Sequence, residues 1–407
     1  MGIAVVNGKY IGGNESPTVR NFMIQNGRIT GMGYIPDEDE ANTQVIDITQ
    51  SLLLPNTFDF VHASTRQSRV NYVQKLQANG FFHLAVLPYS EMCSLDTPDA
   101  IHEWVNTDLE CGSLQVIASA TKKNEPHELA ELSLMRQAGA RGVYLGRIIE
   151  NESLLKQALM IIDMMGCPIV VGPLTRMAAN GTHLNEGAVS FKIGVLGESV
   201  HDEEQEIQRI LSLIQQSTCV PVHFLAVSSP MAIQAIQVAR KTYSGDITVG
   251  ISPFHALLSD DHLLAYPSEL KFNPPLRTTD HMTALMASLA NGDIHHLTAR
   301  HSPPPKDTQP VSFFDALPHT QTSHHFFDAV SHAVIQAGCD LPTIQSLLNA
   351  PTAFQPAIQN ALNLGDNASF IALKNTSSSH QKVRLFNHVD IELDGGVSLV
   401  MKNGDPQ

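Results

Sequence analysis

From residue 55 onward the chain repeats one unit, a short apolar run followed by a longer amphipathic stretch. The apolar runs are Phe58–Val61, Phe82–Leu87, Gln115–Ser119, Gly142–Leu145, Pro168–Gly172, Val220–Ala226, Asp246–Ile251 and Asp293–Ala299. The stretches with helical spacing are Arg69–Ala78, Asp99–Leu109, His127–Ala138, Ser153–Met165, Glu204–Gln215, Met231–Thr242, Met282–Ala290 and Phe327–Ala337. Runs of strand length that alternate with helical stretches build parallel sheets, and eight in succession predict a closed (β/α)8 barrel. Both chain ends read differently. Ile3–Tyr10, Asn21–Ile29 and Thr43–Ile48 alternate with a β period, and Asn26-Gly27 is a two-residue hairpin turn. Alternation returns at Ala368–Leu373, Lys382–Phe386 and Val397–Gly404. The expectation is a barrel over 55–354 and a small β-sandwich built jointly from 1–54 and 355–407.

Functional residues of such a barrel sit in the loops after the strands. Two of these loops are long, Pro173–Asp202 after strand five and Arg300–His325 after strand eight. The mouth residues that stand out are His62, His255, Asn273, Arg300 and His301. His295-His296 and His324-His325 are adjacent pairs. Neighbouring strand residues point to opposite faces, so His295 and His296 cannot chelate one ion together. No GxxxxGK[ST], no GxGxxG and no nucleophile elbow is present, which leaves no phosphate cradle and no serine-hydrolase signature.

The 25 basic and 40 acidic residues give a net charge of −15, which argues against nucleic acid or an anionic membrane surface as partner. No apolar run reaches the length of a membrane span, and the start lacks a signal-peptide layout. The five cysteines are scattered and form no CxxC pair; Cys167 and Cys219 read as core fillers at strand starts. The expected compartment is the cytoplasm.

Several blocks resemble the dihydroorotase family. They are Gln77-Ala78-Asn79-Gly80-Phe81-Phe82, Leu184-Asn185-Glu186-Gly187-Ala188-Val189-Ser190 with Gly194-Val195-Leu196-Gly197, Pro253-Phe254-His255, and Leu364-Gly365-Asp366-Asn367-Ala368-Ser369. The strongest is Lys271-Phe272-Asn273-Pro274-Pro275-Leu276-Arg277, close to the family's Lys-x-Asn-Pro-Pro-Leu-Arg. The resemblance covers most of the chain and implies an amidohydrolase-type barrel. That family uses a divalent cation, held by imidazoles and carboxylates at strand ends, to activate water against a cyclic amide.

At each of those positions the chain departs from the pattern. The family's Asp-x-His-x-His after strand one aligns with Asp59, Val61 and Ala63, which leaves His62 one residue out of register. Strand alternation then turns the His62 ring away from the mouth. The ligand position after strand four falls in Val143-Tyr144-Leu145-Gly146, that after strand five on Gly172, and that after strand six on Ala226, downstream of His223. The catalytic Asp after strand eight is Arg300, a cation that repels a divalent ion. Of the substrate contacts, the family's Met-Pro-Asn is Leu87-Pro88-Tyr89, and Arg66 lies one residue off the arginine position.

The resemblance together with these losses implies a barrel without catalytic residues, metal or other cofactor. Expected partners are the catalytic chain of aspartate carbamoyltransferase, in a dodecamer-like assembly, and further copies of itself as a dimer or higher. The role would be support of that enzyme in pyrimidine biosynthesis. Two other readings stand beside it. One is a cyclic-amide hydrolase with one zinc ion displaced onto His62, His255 and His301. The other is an anion sensor lined by Arg300, Arg66 and Lys122-Lys123. Glu186 and the Asn273–Arg277 block read as structural.

Overall fold

The computed structural model describes residues 2–11, 17–33, 43–64, 68–89, 93–109, 111–172, 183–302, 312–316, 322–356, 361–374, 380–385, 389–394 and 396–407. Eight parallel strands pair in chain order. They are β1 (Phe58–His62), β2 (His83–Leu87), β3 (Ser113–Ser119), β4 (Gly142–Leu145), β5 (Ile169–Val171), β6 (Val222–Phe224), β7 (Ile247–Ile251) and β8 (His296–Leu297). Each falls inside or on one of the eight runs read from the sequence, including the four-residue β4. A helix follows nearly every strand. The barrel expected from the repeated unit is therefore the barrel observed.

Local chemistry explains the helices. In Glu152–Met165, Leu155, Ala158, Leu159 and Ile162 are buried, the spacing of one helical face, while Asn151 caps the first turn and left-handed Gly166 ends the helix. Thr97 and Ser229 cap helices that open on Pro98 and Pro230, where a missing N–H costs nothing. Three short helices lacked a sequence signal, Ala188–Ile193, Pro253–Leu257 and Leu341–Leu348.

Strand alternation sorts the barrel into two cores. Val61, Val86, Val116, Val143, Val171, Phe224, Val249 and Leu297 face the helices. Phe58, Phe60, Ala85, Leu87, Ile117, Tyr144, Val170 and Leu225 fill the interior, joined by Phe354 from the C-terminal segment. The seam between β1 and β8 is stitched rather than laddered. His62 N–H donates to the His301 carbonyl at 3.0 Å. Asp59, fully buried, accepts from its neighbour Phe60 N–H (2.8 Å), from the Thr298 hydroxyl (2.6 Å) and from Ala299 N–H (3.0 Å). Burial pushes the Asp59 carboxyl up to about 7 despite these bonds.

Both chain ends meet in a second, mixed eight-stranded sheet. Gly2–Tyr10 pairs antiparallel with Thr18–Gln25 and parallel with Thr43–Asp47, and Ser51–Leu54 pairs antiparallel with Phe370–Lys374. Phe370–Lys374 pairs in turn with Gly396–Lys402. Asn26 and Gly27, both at positive φ, form the expected turn. Val5, Phe22, Ile24, Leu53, Phe370 and Met401 make its core. A hairpin of His380–Leu385 and Val389–Asp394 stands apart from that sheet. Among the described residues no helix is long and apolar enough to cross a membrane. Of the cysteines read as core fillers, Cys167 is buried but Cys219 is exposed beside Asp163, because its strand starts only at Val222.

Candidate functional site

Among the described residues, aromatic rings line the C-terminal mouth of the barrel. Tyr144, on the inner face of β4, lies across the end of β5. A Cβ added to Gly172 would sit 2.8 Å from Tyr144 Cζ and closer still to its hydroxyl, and a Cβ at Gly146 would also collide with the ring. Gly172 and Gly146 are thus glycines because the tyrosine occupies the volume their side chains would need. Arg300 follows β8 at φ 45° and hydrogen-bonds the Tyr144 hydroxyl. Its backbone N–H donates to Thr298 Oγ1 at 3.0 Å. Among the described residues no carboxylate faces the guanidinium; burial lowers its pKa, and Tyr144 and Tyr89 partly restore it.

His62 corrects the register argument. Phe58, Phe60 and His62 share the inner face, whereas Val61 and Ala63 pack outward against the helices. The His62 ring therefore points into the mouth, 5.6 Å from the Tyr89 ring and 6.1 Å from Tyr144. Parity was counted from Asp59, and Asp59 is turned to the seam. His62 Nδ1 donates to the Pro88 carbonyl at 2.7 Å, and Nε2 is buried without a partner. Burial first, then Arg300, pushes the imidazole down to about 3, so it is neutral.

The other mouth residues do not converge on it. His255 lies in the helix Pro253–Leu257 after β7, and its Nε2 donates to the Pro274 carbonyl at 3.0 Å; burial pushes it down to about 4. Asn273 is half-buried and joined to Pro274 by a cis peptide bond. His301 faces the opposite side of the strand end, stacked on Tyr72 of the first barrel helix at 6.1 Å. Of the proposed anion-sensor groups, Lys122 is exposed and paired with Glu128 at 2.5 Å, and Arg66 lies outside the described residues. Among the described residues no three His, Cys, Asp or Glu side chains come together as a cation site.

Deeper inside, two histidines pack as rings. His223 stacks on Phe60 at 5.0 Å, and His296 meets His223 edge-on at 5.7 Å. His295 points out of the barrel to Arg240, so the adjacent pair does split across the strand. Burial pushes His223 well down and His296 to about 4. The sequence reading missed both interior roles, and it missed Tyr144 as the filler of the mouth. The signal available was Gly146 and Gly172 on either side of a bulky inward residue.

A second site was read only as loop structure. Arg277 is almost completely buried and contacts Glu203 Oε2 at 3.1 Å. It also donates to Ser228 Oγ (2.9 Å), to Asn185 Oδ1 and to the Glu198 carbonyl (both 3.1 Å). Glu203 accepts in addition from Ser228 N–H at 2.7 Å. Asn185 Nδ2 reaches Asp260 Oδ2 at 3.3 Å, and Asp260 N–H donates to the Arg277 carbonyl at 2.8 Å. Lys271 is buried, with its ammonium donating to the carbonyls of Phe313 (3.0 Å) and Ala316 (2.6 Å). Glu186, expected as an anchor, anchors through its backbone N–H to the Glu198 carbonyl at 2.9 Å. Arg277, Glu203 and Lys271 all have partners, as buried charges require, whereas the buried Glu198 carboxylate has only the His183 ring beside it, at 3.2 Å and with no hydrogen bond.

Comparison with known proteins places this geometry. No family model matches the chain. It is 24% identical over 363 residues to the dihydroorotase of Caldicellulosiruptor saccharolyticus, covering 86% of this chain and 84% of that one. It is 26% identical over 292 residues to the dihydroorotase of Pediococcus pentosaceus, covering 70% and 68%. Among solved structures it superposes on the dihydropyrimidinase of Brevibacillus agri with a TM-score of 0.73 at 15% identity, over 100% of this chain and 95% of that one. The L-hydantoinase of Arthrobacter aurescens gives 0.74 at 18% identity, over 99% and 95%.

The chain is dihydroorotase-like. In a dihydroorotase-like barrel the implied cofactor is a divalent cation at the mouth, and the residues present do not fit one. The β5 position is Gly172 under the Tyr144 hydroxyl, the position after β6 is Ala226 in the interior apolar core, and the position after β8 is a guanidinium. Among the described residues at these strand ends, His62 offers the one inward imidazole nitrogen without a partner. Of the stretches that resemble the family, Leu184–Gly197 contributes Asn185 to the Arg277 network and Lys271–Arg277 contributes Arg277 itself; Glu198, Glu203, Ser228 and Asp260 complete it.

Proposed function

We propose that this dihydroorotase-like chain is a non-catalytic subunit that supports the assembly of aspartate carbamoyltransferase, as a homo-dimer or higher oligomer. The observation that carries the non-catalytic half is the Tyr144 ring seated where the β5 ligand would project, with its hydroxyl held by Arg300. A metal-activated water needs an open coordination position and several ligands, and an aromatic ring with a guanidinium offers neither. The assembly half rests on the resemblance, and the intact Arg277 network supports it. That network ties together the loops around the mouth.

The test has two parts. Metal analysis of the purified protein is expected to find substoichiometric zinc and manganese, with no turnover of dihydroorotate. Mass measurement of the complex isolated from the native cell is expected to find this chain with aspartate carbamoyltransferase. Stoichiometric zinc, with turnover abolished by His62→Ala, would establish the rearranged hydrolase instead. A native mass without the carbamoyltransferase, and unchanged carbamoyltransferase activity on deletion of this chain, would remove the assembly role.

A further inference from the structure

The loops that the Arg277 network pins carry exposed apolar side chains on their outer surface. Phe191 is 87% exposed, Leu264 41%, Tyr266 48% and Phe314 51%. They sit on three adjoining elements of the barrel rim. The helix Ala188–Ile193 packs on the 3-10 helix Asp260–Ala265, Tyr266 follows directly, and its ring lies 5.6 Å from Phe313 and 5.9 Å from Phe314.

Each element is held from beneath by a shared family block. Arg277 bonds Asn185 and the Glu198 carbonyl, on both sides of the Ala188–Ile193 helix. Asn185 and the Arg277 carbonyl both bind Asp260. Lys271 clamps the carbonyls of Phe313 and Ala316 around Phe314. The exposed rings therefore stand on a rigid base, and the ordering cost of presenting them is met before any partner arrives.

We infer that this rim is a docking surface for a different protein chain, one that presents an apolar patch bordered by basic side chains. Size and charge argue for that occupant. Three aromatic rings and a leucine at these exposures offer roughly 400 Å² of apolar surface. That is about half of what one partner contributes to a standard interface, and suits its apolar centre. Around it the described residues Glu186, Asp261, Glu269 and Asp315 outnumber the lone Lys192. A second copy of this acidic chain would oppose like charges across the rim, whereas a basic-rimmed partner would be steered to it. The inference rests on the assembly role proposed above and names the surface that serves it.

The test mixes purified full-length chain with purified aspartate carbamoyltransferase catalytic chain from the same cell, read by calorimetry and by size-exclusion with light scattering. Phe191→Asp and, separately, Phe314→Ser are expected to weaken binding by roughly 30-fold or more, the loss typical of a central aromatic anchor. Met164→Asp, at a site 80% exposed on an outer helix, is expected to bind as the parent does. Thermal melts matching the parent establish that the variants fold. If the parent binds and both rim variants bind equally well, the surface is wrong and the assembly role stands. If the parent forms no complex, both fall. If the parent alone self-associates and Phe191→Asp makes it monomeric, the occupant is a second copy and the inference is overturned.

Discussion

The mouth of the barrel and the network beneath its rim both take polar groups out of water, but they hold them in different ways. At the mouth, aromatic rings fill the space. Tyr144 lies over Gly172 at the end of β5, and Phe60, His223 and His296 pack as rings inside the barrel. His62 Nε2 and Arg300 Nε are buried with no hydrogen-bond partner. Under the rim Arg277 is matched against Glu203 and Lys271 against two carbonyls, and only the Glu198–His183 contact there lacks a hydrogen bond among the described residues of the network. Unsatisfied polar groups of this kind cost about 1–3 kcal/mol each, whereas a matched network fixes one arrangement of the chain. The difference teaches that polar groups packed among rings and polar groups tied into a network constrain the same barrel end in different ways.

Breaking the matched region gives the largest effect. Arg277→Met strands the buried Glu203 carboxylate and is expected to cost about 3–5 kcal/mol in chemical denaturation. A loss under about 1 kcal/mol would show that the network is not what orders the rim. The seam comes next. Asp59→Asn turns an amide N–H toward donors that now face carboxylate oxygens, and is expected to cost about 2–3 kcal/mol.

Asp59 also sets a pH slope. Its folded pKa, about 7, lies above its ordinary value of 3.8, so the folded state favours the protonated form. Its contribution is complete below the ordinary value and is lost as pH rises through about 7. Stability of the parent minus that of Asp59→Asn should therefore fall between those limits. A flat difference would show that the carboxyl titrates normally.

Within the mouth, Gly172→Ala forces a methyl against Tyr144 and is expected to cost about 1–3 kcal/mol. Made in a Tyr144→Ala background, the same change should cost much less; equal costs in both backgrounds would mean that the ring is not what excludes a side chain there. The smallest effect is expected from Arg300→Met, between no change and a gain of about 2 kcal/mol, because a buried cation without a facing carboxylate is removed. The same variant should raise the His62 pKa from about 3, since Arg300 is one of the groups depressing it, as read by NMR titration of the ring.

The barrel was legible because a repeated βα unit writes its two periodicities directly into the sequence, down to the four-residue β4. The terminal sheet was legible for the same reason. The helices Ala188–Ile193 and Leu341–Leu348 were not, since one or two turns leave too little periodicity to read. Which residues align with the family's ligand positions could be read one by one. How those residues pack could not. Val143-Tyr144-Leu145-Gly146 shows that a carboxylate is missing, but only the packed barrel puts the Tyr144 ring over Gly172, 28 residues away in the numbering. His62 was read with the wrong facing because parity was carried from Asp59, a residue drawn aside to bond Thr298 and Ala299. Likewise, the Lys271–Arg277 block could be recognised, but not that its two cations reach three separate loops.

By itself, then, the sequence determined the eight-unit barrel, the β character of both chain ends and which residues stand at each strand end, because periodicity and residue identity are local properties. The tertiary structure alone decided that the Tyr144 ring covers Gly172, that His62 points into the mouth while His301 does not, and that Arg277 ties together loops distant in the chain. Those outcomes depend on which side chains from distant strands compete for the same volume and the same hydrogen bonds, and that competition exists only once the barrel has closed.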